Sequence, residues 1–263
     1  MSMKKFLWFA VAVVSASFVQ NSVHGQPPKR DEQIVQAAAA RSPLDQPLAW
    51  MLEARRNYGA IKDYACTLVS EENVRGKLLD QNIIQLKVKT EPFCVYMRWL
   101  APKQYLNQEV AFIAGKNNNK MRVKSNVLGS KIIGFMSIDP NDPRVMDHSR
   151  HTILEAGIGN MIDQNIRHWE KERQVGKTEV RISESAYNER KCHRIETINT
   201  ERRPDSYCYR SVIYLEQNAK LPILLEVYDW PRNGGPAEGE LLERFRYLNI
   251  QFNAGMTVRD FEK

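Results

Sequence analysis

Near the end of the chain the runs LPILLEVYDW, Leu221 to Trp230, and ELLERFRYLNIQF, Glu240 to Phe252, flank a loop holding Pro231, Gly234, Gly235, Pro236 and Gly239. Two stretches rich in branched and aromatic residues around Pro and Gly read as a hairpin with a long polar turn. In the second run Leu242, Arg244, Arg246, Leu248 and Ile250 alternate with Glu243, Phe245, Tyr247, Asn249 and Gln251, so each face mixes apolar and polar side chains. A strand of that kind is buried on one side only in part. It suits an antiparallel sheet with one wet face or a cavity better than a parallel sheet buried on both sides.

The same strand-and-turn grammar extends upstream. Short strands are expected at Asp63 to Glu72, Asn82 to Lys89, Phe93 to Leu100, Glu109 to Ala114 and Lys120 to Asn126, and again at Thr178 to Ser183, Lys191 to Asn199 and Tyr207 to Gln217. Ile84, Leu86 and Val88 against Gln85, Lys87 and Lys89 give the clearest alternation, and Val95, Met97 and Trp99 oppose Cys94, Tyr96 and Arg98. Two helices break the series. One lies between Pro47 and Tyr58, where Leu48, Met51, Leu52 and Tyr58 share a face and Gly59 follows. The other is expected to start at Thr152, whose pairing with Glu155 is a capping box. Its stripe of Leu154, Ile158, Met161, Ile162, Ile166 and Trp169 runs on to Lys171 and Arg173, with Gly176 as the stop. The fold class is therefore α+β, in the order helix, strands, helix, strands.

The N-terminus is a separate object. Lys4 and Lys5 precede an apolar run from Phe6 to Val19 and then polar residues up to Gly25, so residues 1–25 read as a secretory signal, with an uncleaved anchor as the alternative. A mobile, Pro-bearing leader over 26–44 and a single domain over 45–263 follow. This address is exported, periplasmic or cell-envelope. The chain carries a formal charge of +7, two of it from Lys4 and Lys5. That excess suits an anionic envelope surface but lacks the concentrated basic motif of a nucleic-acid binder. The densest basic stretch, Lys116, Lys120, Arg122, Lys124 and Lys131, is interleaved with Asn117, Asn118, Asn119 and Gly129 and reads as a solvated hairpin.

Four cysteines in an exported chain are expected to pair. Of the three possible connectivities, the expected one joins Cys192 to Cys208, which lie at equal distances either side of Thr200 as hairpin partners would, and Cys66 to Cys94. None has the C-x-x-C spacing usual for zinc.

Catalytic patterns are weak. His148 and His151, near Asp147 and Glu155, are better explained as loop and cap residues than as metal ligands, and His168 and His193 are isolated. There is no G-x-S-x-G nucleophile elbow, and Gly234 and Gly235 lack the Lys and Ser/Thr of a phosphate-binding loop. Glu71, Glu72, Glu226 and Asp229 sit on or near strands, where a carboxylate pair for glycoside hydrolysis is conceivable but solvated charges are commoner. Neither an enzyme nor a cofactor or metal is expected.

Here a resemblance enters. The run EPFCVYMRW, Glu91 to Trp99, followed by Gly115 and by Arg150, His151, Thr152 and the helix with Gly157, resembles a family of secreted bacterial proteins, domain of unknown function fifteen seventy-one. The closing YLNIQFNAGM, Tyr247 to Met256, with Asp260 and Phe261, is similar to the end of Lol-type lipoprotein carriers. The resemblance implies a strongly curved antiparallel half-barrel whose concave apolar face is covered by helices and accepts acyl chains. It implies no catalytic residue.

Together these readings give an exported, monomeric, non-catalytic protein that binds a lipid or acylated protein in a half-barrel cavity. The alternative is an envelope structural or interaction module whose cavity is filled by helix. Candidate cavity residues are Leu86, Val88, Met97, Trp99, Phe112, Leu154, Ile158, Met161 and Ile162. The helix after Thr152 is expected to act as a lid, because Gly157 and Gly159 loosen its first turns.

Overall fold

In the computed structural model residues 42–125 and 134–263 are described. The signal segment 1–25, most of the leader, and Gly129 and Lys131 of the basic hairpin lie outside them. Helix α1 (Asp45–Tyr58) leads into β1 (Asp63–Val74), β2 (Lys77–Leu78), β3 (Asn82–Lys89), β4 (Cys94–Ala101), β5 (Glu109–Ile113), β6 (Met121–Lys124) and β7 (Met136–Ile138). Helices α2 (Pro143–Met146) and α3 (Ile158–Val175) follow, then β8 (Thr178–Tyr187), β9 (Arg190–Asn199), β10 (Arg210–Glu216), β11 (Pro222–Tyr228) and β12 (Leu241–Phe252).

All the strand pairs are antiparallel, and the sheet runs β7-β6-β5-β4-β3-β1-β12-β11-β10-β9-β8, with β2 as a short extra partner of β1. The first half of the chain thus builds outward from β1 and the second half builds inward to β12. The two halves meet at the β1–β12 pair, whose partners are as far apart in sequence as Tyr64 and Phe252. The sheet is curved and open, with β7 and β8 at its two edges.

Alternation places the concave face. Tyr64, Cys66, Leu68, Ile84, Leu86, Val88 and Val95 are buried on it, and α1 and α3 cover it through Leu48, Met51, Ile158, Ile162, Ile166 and Trp169. At about 25 cal/mol per Å² of apolar surface, this continuous layer is the main source of stability. The opposite face of β4 carries Cys94 and Tyr96, which pack with Ala111 under Phe261 from the C-terminal turn.

The mixed faces of β12 have a direct cause. Outward, Arg244 binds Glu226 (2.8 Å) and Glu71 (3.1 Å), and Arg246 binds Glu71 (3.0 Å). Glu196 on β9 pairs with Arg194 and Arg210 in the same way. Inward, Phe245 and Tyr247 face the core. Near Asn249, whose φ is 53°, the register against β1 shifts, so Ile250 and Phe252 also pack on the core. A bulge of this kind moves every following side chain to the other face.

Two expectations need correction. The capping box at Thr152 is present, with the Thr152 N–H donating to Glu155, but it caps a single 3-10 turn, Ile153–Glu155. Helix α3 begins only at Ile158, because Gly157 takes φ 103°, and Leu154 is 38% exposed instead of lying on the apolar stripe.

The second correction concerns the cysteines, all four of which are free and buried. Cys66 faces the concave core, whereas Cys94 faces the other side of the sheet with β3 between them. Cys192 lies opposite Glu216, because the β9–β10 turn is centred near Pro204, not Thr200. Cys208 sits by Asn199 at the turn end of the same hairpin, while Cys192 is seven residues from Asn199, about 23 Å along an extended strand. A disulfide needs Cα atoms within about 7 Å, so neither pairing is open to this fold.

Candidate functional site: a cavity under helix α3

A cavity of about 200 Å³ lies between the concave face and the segment from Arg144 to Gln164. It exceeds the roughly 150 Å³ of a dry apolar cavity that admits benzene. Its sheet wall is mostly apolar: Leu68 from β1, Ile84 from β3, Met97 and Trp99 from β4, Val110 from β5, Met121 and Val123 from β6, Ile138 from β7, Leu225 from β11, and Phe245 and Tyr247 from β12. Trp99 is fixed by its indole N–H donating to Asn82 Oδ1 (3.1 Å). Tyr105, Arg144 and His148 also line it, and the Tyr105 ring meets His148 edge-on.

Of the nine candidate cavity residues, Met97, Trp99 and Met161 border this space. Leu86, Val88, Phe112, Ile158 and Ile162 belong to the buried layer of the same apolar cluster without lining the cavity, and Leu154 is exposed.

Helix α3 is seated by two aromatic side chains at its start. The Ile158 N–H donates to Tyr64 Oη (2.8 Å). A Cβ on Gly157 would stand 2.6 Å from that oxygen, and one on Gly159 would stand 2.4 Å from the Tyr58 ring. The two glycines therefore serve close approach, a use different from the loosening expected of them.

One end of the cavity is strongly polar. Glu72 on β1 and Glu243 on β12 are cross-strand partners facing inward, 7% and 1% exposed. Glu243 accepts from Tyr207 Oη (2.5 Å) through one oxygen, and from Arg150 Nε (3.1 Å) and His151 Nε2 (2.8 Å) through the other. Glu72 Oε2 accepts from the Arg150 backbone N–H (2.7 Å) and Ser149 Oγ (2.9 Å). His168 stacks on Tyr207, with ring centroids 4.3 Å apart. Behind Glu243 a smaller cavity of about 30 Å³, bordered by Tyr207, His168 and Thr197, has room for a water.

Charge in this cluster follows from its partners. Burial pushes the Glu72 carboxyl up, against the pull of the Arg150 amide, His151 and Ser149. Burial acts the same way on Glu243, but His151, Tyr207 and Arg150 outweigh it and hold Glu243 below the usual carboxylate range. For His151 burial favours the neutral ring, yet the hydrogen bond and charge of Glu243, with Glu72 and Glu155 near, lift its pKa to about 9. At neutral pH the cluster holds an imidazolium and a guanidinium on one carboxylate.

Sequence reading singled out parts of this cluster without joining them. Glu71 and Glu226 meet outside on Arg244, where both are ion-paired, while Glu72 faces inward and Asp229 binds Arg232, so the four carboxylates do not share one site. Glu243 was visible as the acidic member of the face bearing Phe245 and Tyr247, a place where a charge requires a buried partner. Among the described residues no group of His, Cys, Asp and Glu could hold a metal ion, and no helix is long and apolar enough to cross a membrane. The basic hairpin is largely paired: Lys116 with Glu262, Lys124 with Glu109, and Arg122 with Ser137.

Comparison with known proteins gives a family match over residues 61–263, to the family described as Protein of unknown function (DUF1571). Among curated proteins the sequence finds no match. Solved structures similar to the chain include the following three. An uncharacterized conserved protein from Thermus thermophilus has 6% identity and a TM-score of 0.47, over 83% of this chain and 93% of that one. The lipoprotein LppX of Mycobacterium tuberculosis has 6% identity and a TM-score of 0.46, over 81% and 99%. A LolA superfamily protein from Nitrosomonas europaea has 8% identity and a TM-score of 0.36, over 85% and 99%.

Proposed function

The chain belongs to the DUF1571 family, and we propose that it is an exported, non-catalytic envelope protein that holds an apolar ligand, a lipid or the acyl chain of a modified protein, in the cavity under α3. The observation that carries this reading is the cavity itself. Some 200 Å³ stays open between the sheet and the segment from Arg144 to Gln164, and eleven apolar side chains from eight strands converge on it. Burying an acyl chain there returns about 0.8 kcal/mol per methylene, which favours uptake of a chain over a small polar molecule. The polar end would then orient the ligand, as a few placed polar groups do in apolar sites.

The test is uptake of a fluorescent fatty-acyl probe by protein stripped of lipid. Saturable binding that is weakened by Val110→Trp or Ile84→Trp, substitutions that fill the space, supports the reading. Absence of uptake, together with no lipid on protein purified from its own cells, would leave the alternative of a structural module.

A further inference from the structure

We propose that the cavity selects its ligand by head group, taking an amphiphile whose polar end donates a hydrogen bond to Glu72 Oε1, such as a long-chain alcohol or a glycerol-type hydroxyl. This rests on the cavity being the ligand site.

The argument starts from an unbalanced acceptor. Glu72 is 7% exposed, and its Oε2 is filled by the Arg150 amide and Ser149 Oγ. Its Oε1 has no hydrogen-bond partner among the described residues, yet it is not one of the sealed, unsatisfied atoms, and the residue borders the cavity. Buried polar atoms are nearly always satisfied, so an acceptor left open on an apolar cavity marks the place for a donor.

The neighbouring cations do not turn this end into an anion site. Arg150 spends Nε on Glu243 and Nη1 on the Asn73 carbonyl. His151 presents one nitrogen to Glu243 and the other to Glu155. A ligand carboxylate placed here would meet the open oxygen of Glu72, acceptor against acceptor. An ammonium would lose its hydration on entering an apolar cavity for a single partner. A hydroxyl satisfies the oxygen at the least desolvation cost. Leu68, Ile84, Phe245 and Tyr247 lie along the adjoining wall and would take the chain.

The experiment is displacement of a bound fluorescent acyl probe, above neutral pH, by a saturated long-chain alcohol and by the carboxylate of equal chain length. The alcohol is expected to compete at a concentration lower by about tenfold or more, the worth of one buried hydrogen bond against an unpaired acceptor. Glu72→Gln supplies the second arm. Its amide oxygen can keep the Arg150 and Ser149 bonds while its NH2 turns to the cavity, so the preference should fall or reverse towards the carboxylate. Equal competition by the two ligands in the unaltered protein overturns the head-group selection while leaving the cavity reading standing, as does a ranking that Glu72→Gln does not move. Failure of probe and both ligands to bind overturns both.

Discussion

Glu72 and Glu243 face each other directly across the β1–β12 pair, and the fold treats these two buried carboxylates in opposite ways. Glu243 is held ionised by Arg150, His151 and Tyr207, while burial raises the Glu72 carboxyl. Each half of the chain contributes one of them, so the ion cluster also joins the two halves of the sheet.

Glu243→Gln should therefore be costly. It leaves Arg150 and His151 without their main counter-charge in a buried place, and breaking such a pair from one side costs about 3 to 5 kcal/mol. Urea unfolding with an unchanged m-value and a lower midpoint is the expected result. A loss below about 1 kcal/mol would mean that the cluster relaxes into solvent.

The imidazole of His151 predicts a pH dependence. Its folded pKa is about 9 against an ordinary 6.5, so the folded state binds the proton more tightly. The resulting stability is fully present below pH 6.5 and is lost as pH rises through 9. The size is about 3 kcal/mol from the shift alone. The groups facing the ring are Glu243, Glu155 and Glu72. Melting temperature measured from pH 6 to 10 should fall more steeply for the unaltered protein than for His151→Gln. Parallel curves would contradict the assignment.

Gly157→Ala and Gly159→Ala test the seating of α3. The new methyl groups would meet Tyr64 Oη at 2.6 Å and the Tyr58 ring at 2.4 Å, and Gly157 has a positive φ as well. Each should destabilise by about 2 to 4 kcal/mol. Gly76→Ala, also at positive φ but with nothing within 4 Å, should cost only about 1 kcal/mol. Tyr64→Phe removes the clashing oxygen and should recover part of the Gly157→Ala loss in a double-mutant cycle.

How much of this was legible in the sequence depends on range. Period-two alternation in Ile84, Leu86 and Val88 gave the strand and its buried face, because a pleated chain has no other way to divide such residues. The closing hairpin was legible for the same reason. Its register was not, since the shift near Asn249 depends on pairing with β1, far away in the chain. The turn after Asn199 misled in a similar way: counting from Thr200 made Cys192 and Cys208 partners, whereas the hairpin closes about Pro204. The ion cluster draws on residues 72, 150, 151, 207 and 243, which meet only because the outward and inward halves of the sheet join at β1 and β12. Spacing along one chain cannot show that meeting.

The cysteines give a chemical check. All are buried, and burial lifts the thiols of Cys66 and Cys208 to about 12. A thiol reagent should react slowly with the native protein and titrate four groups once it is unfolded without reductant. A peptide map without reduction that joined Cys192 to Cys208 would require a different β9–β10 register.

Ile158 and Met161 separate a fixed helix from a moving one. Ile158 is fully buried against the sheet and away from the cavity, while Met161 is 5% exposed and borders the cavity. With α3 permanently seated, Ile158→Ala should cost about 2 to 5 kcal/mol, since the void it leaves has neighbours that cannot all collapse into it. Met161→Ala should sit at the lower end of that range, because space already lies on one side of the side chain, and it should enlarge the cavity and favour a bulkier apolar ligand. If α3 swings away as a lid, both losses should fall below about 1 kcal/mol, and amides from Met161 to Ile166 should exchange faster than those of β1 and β12. Equal protection of the helix and these central strands, with and without an acyl ligand, would fix α3 as a wall of the cavity.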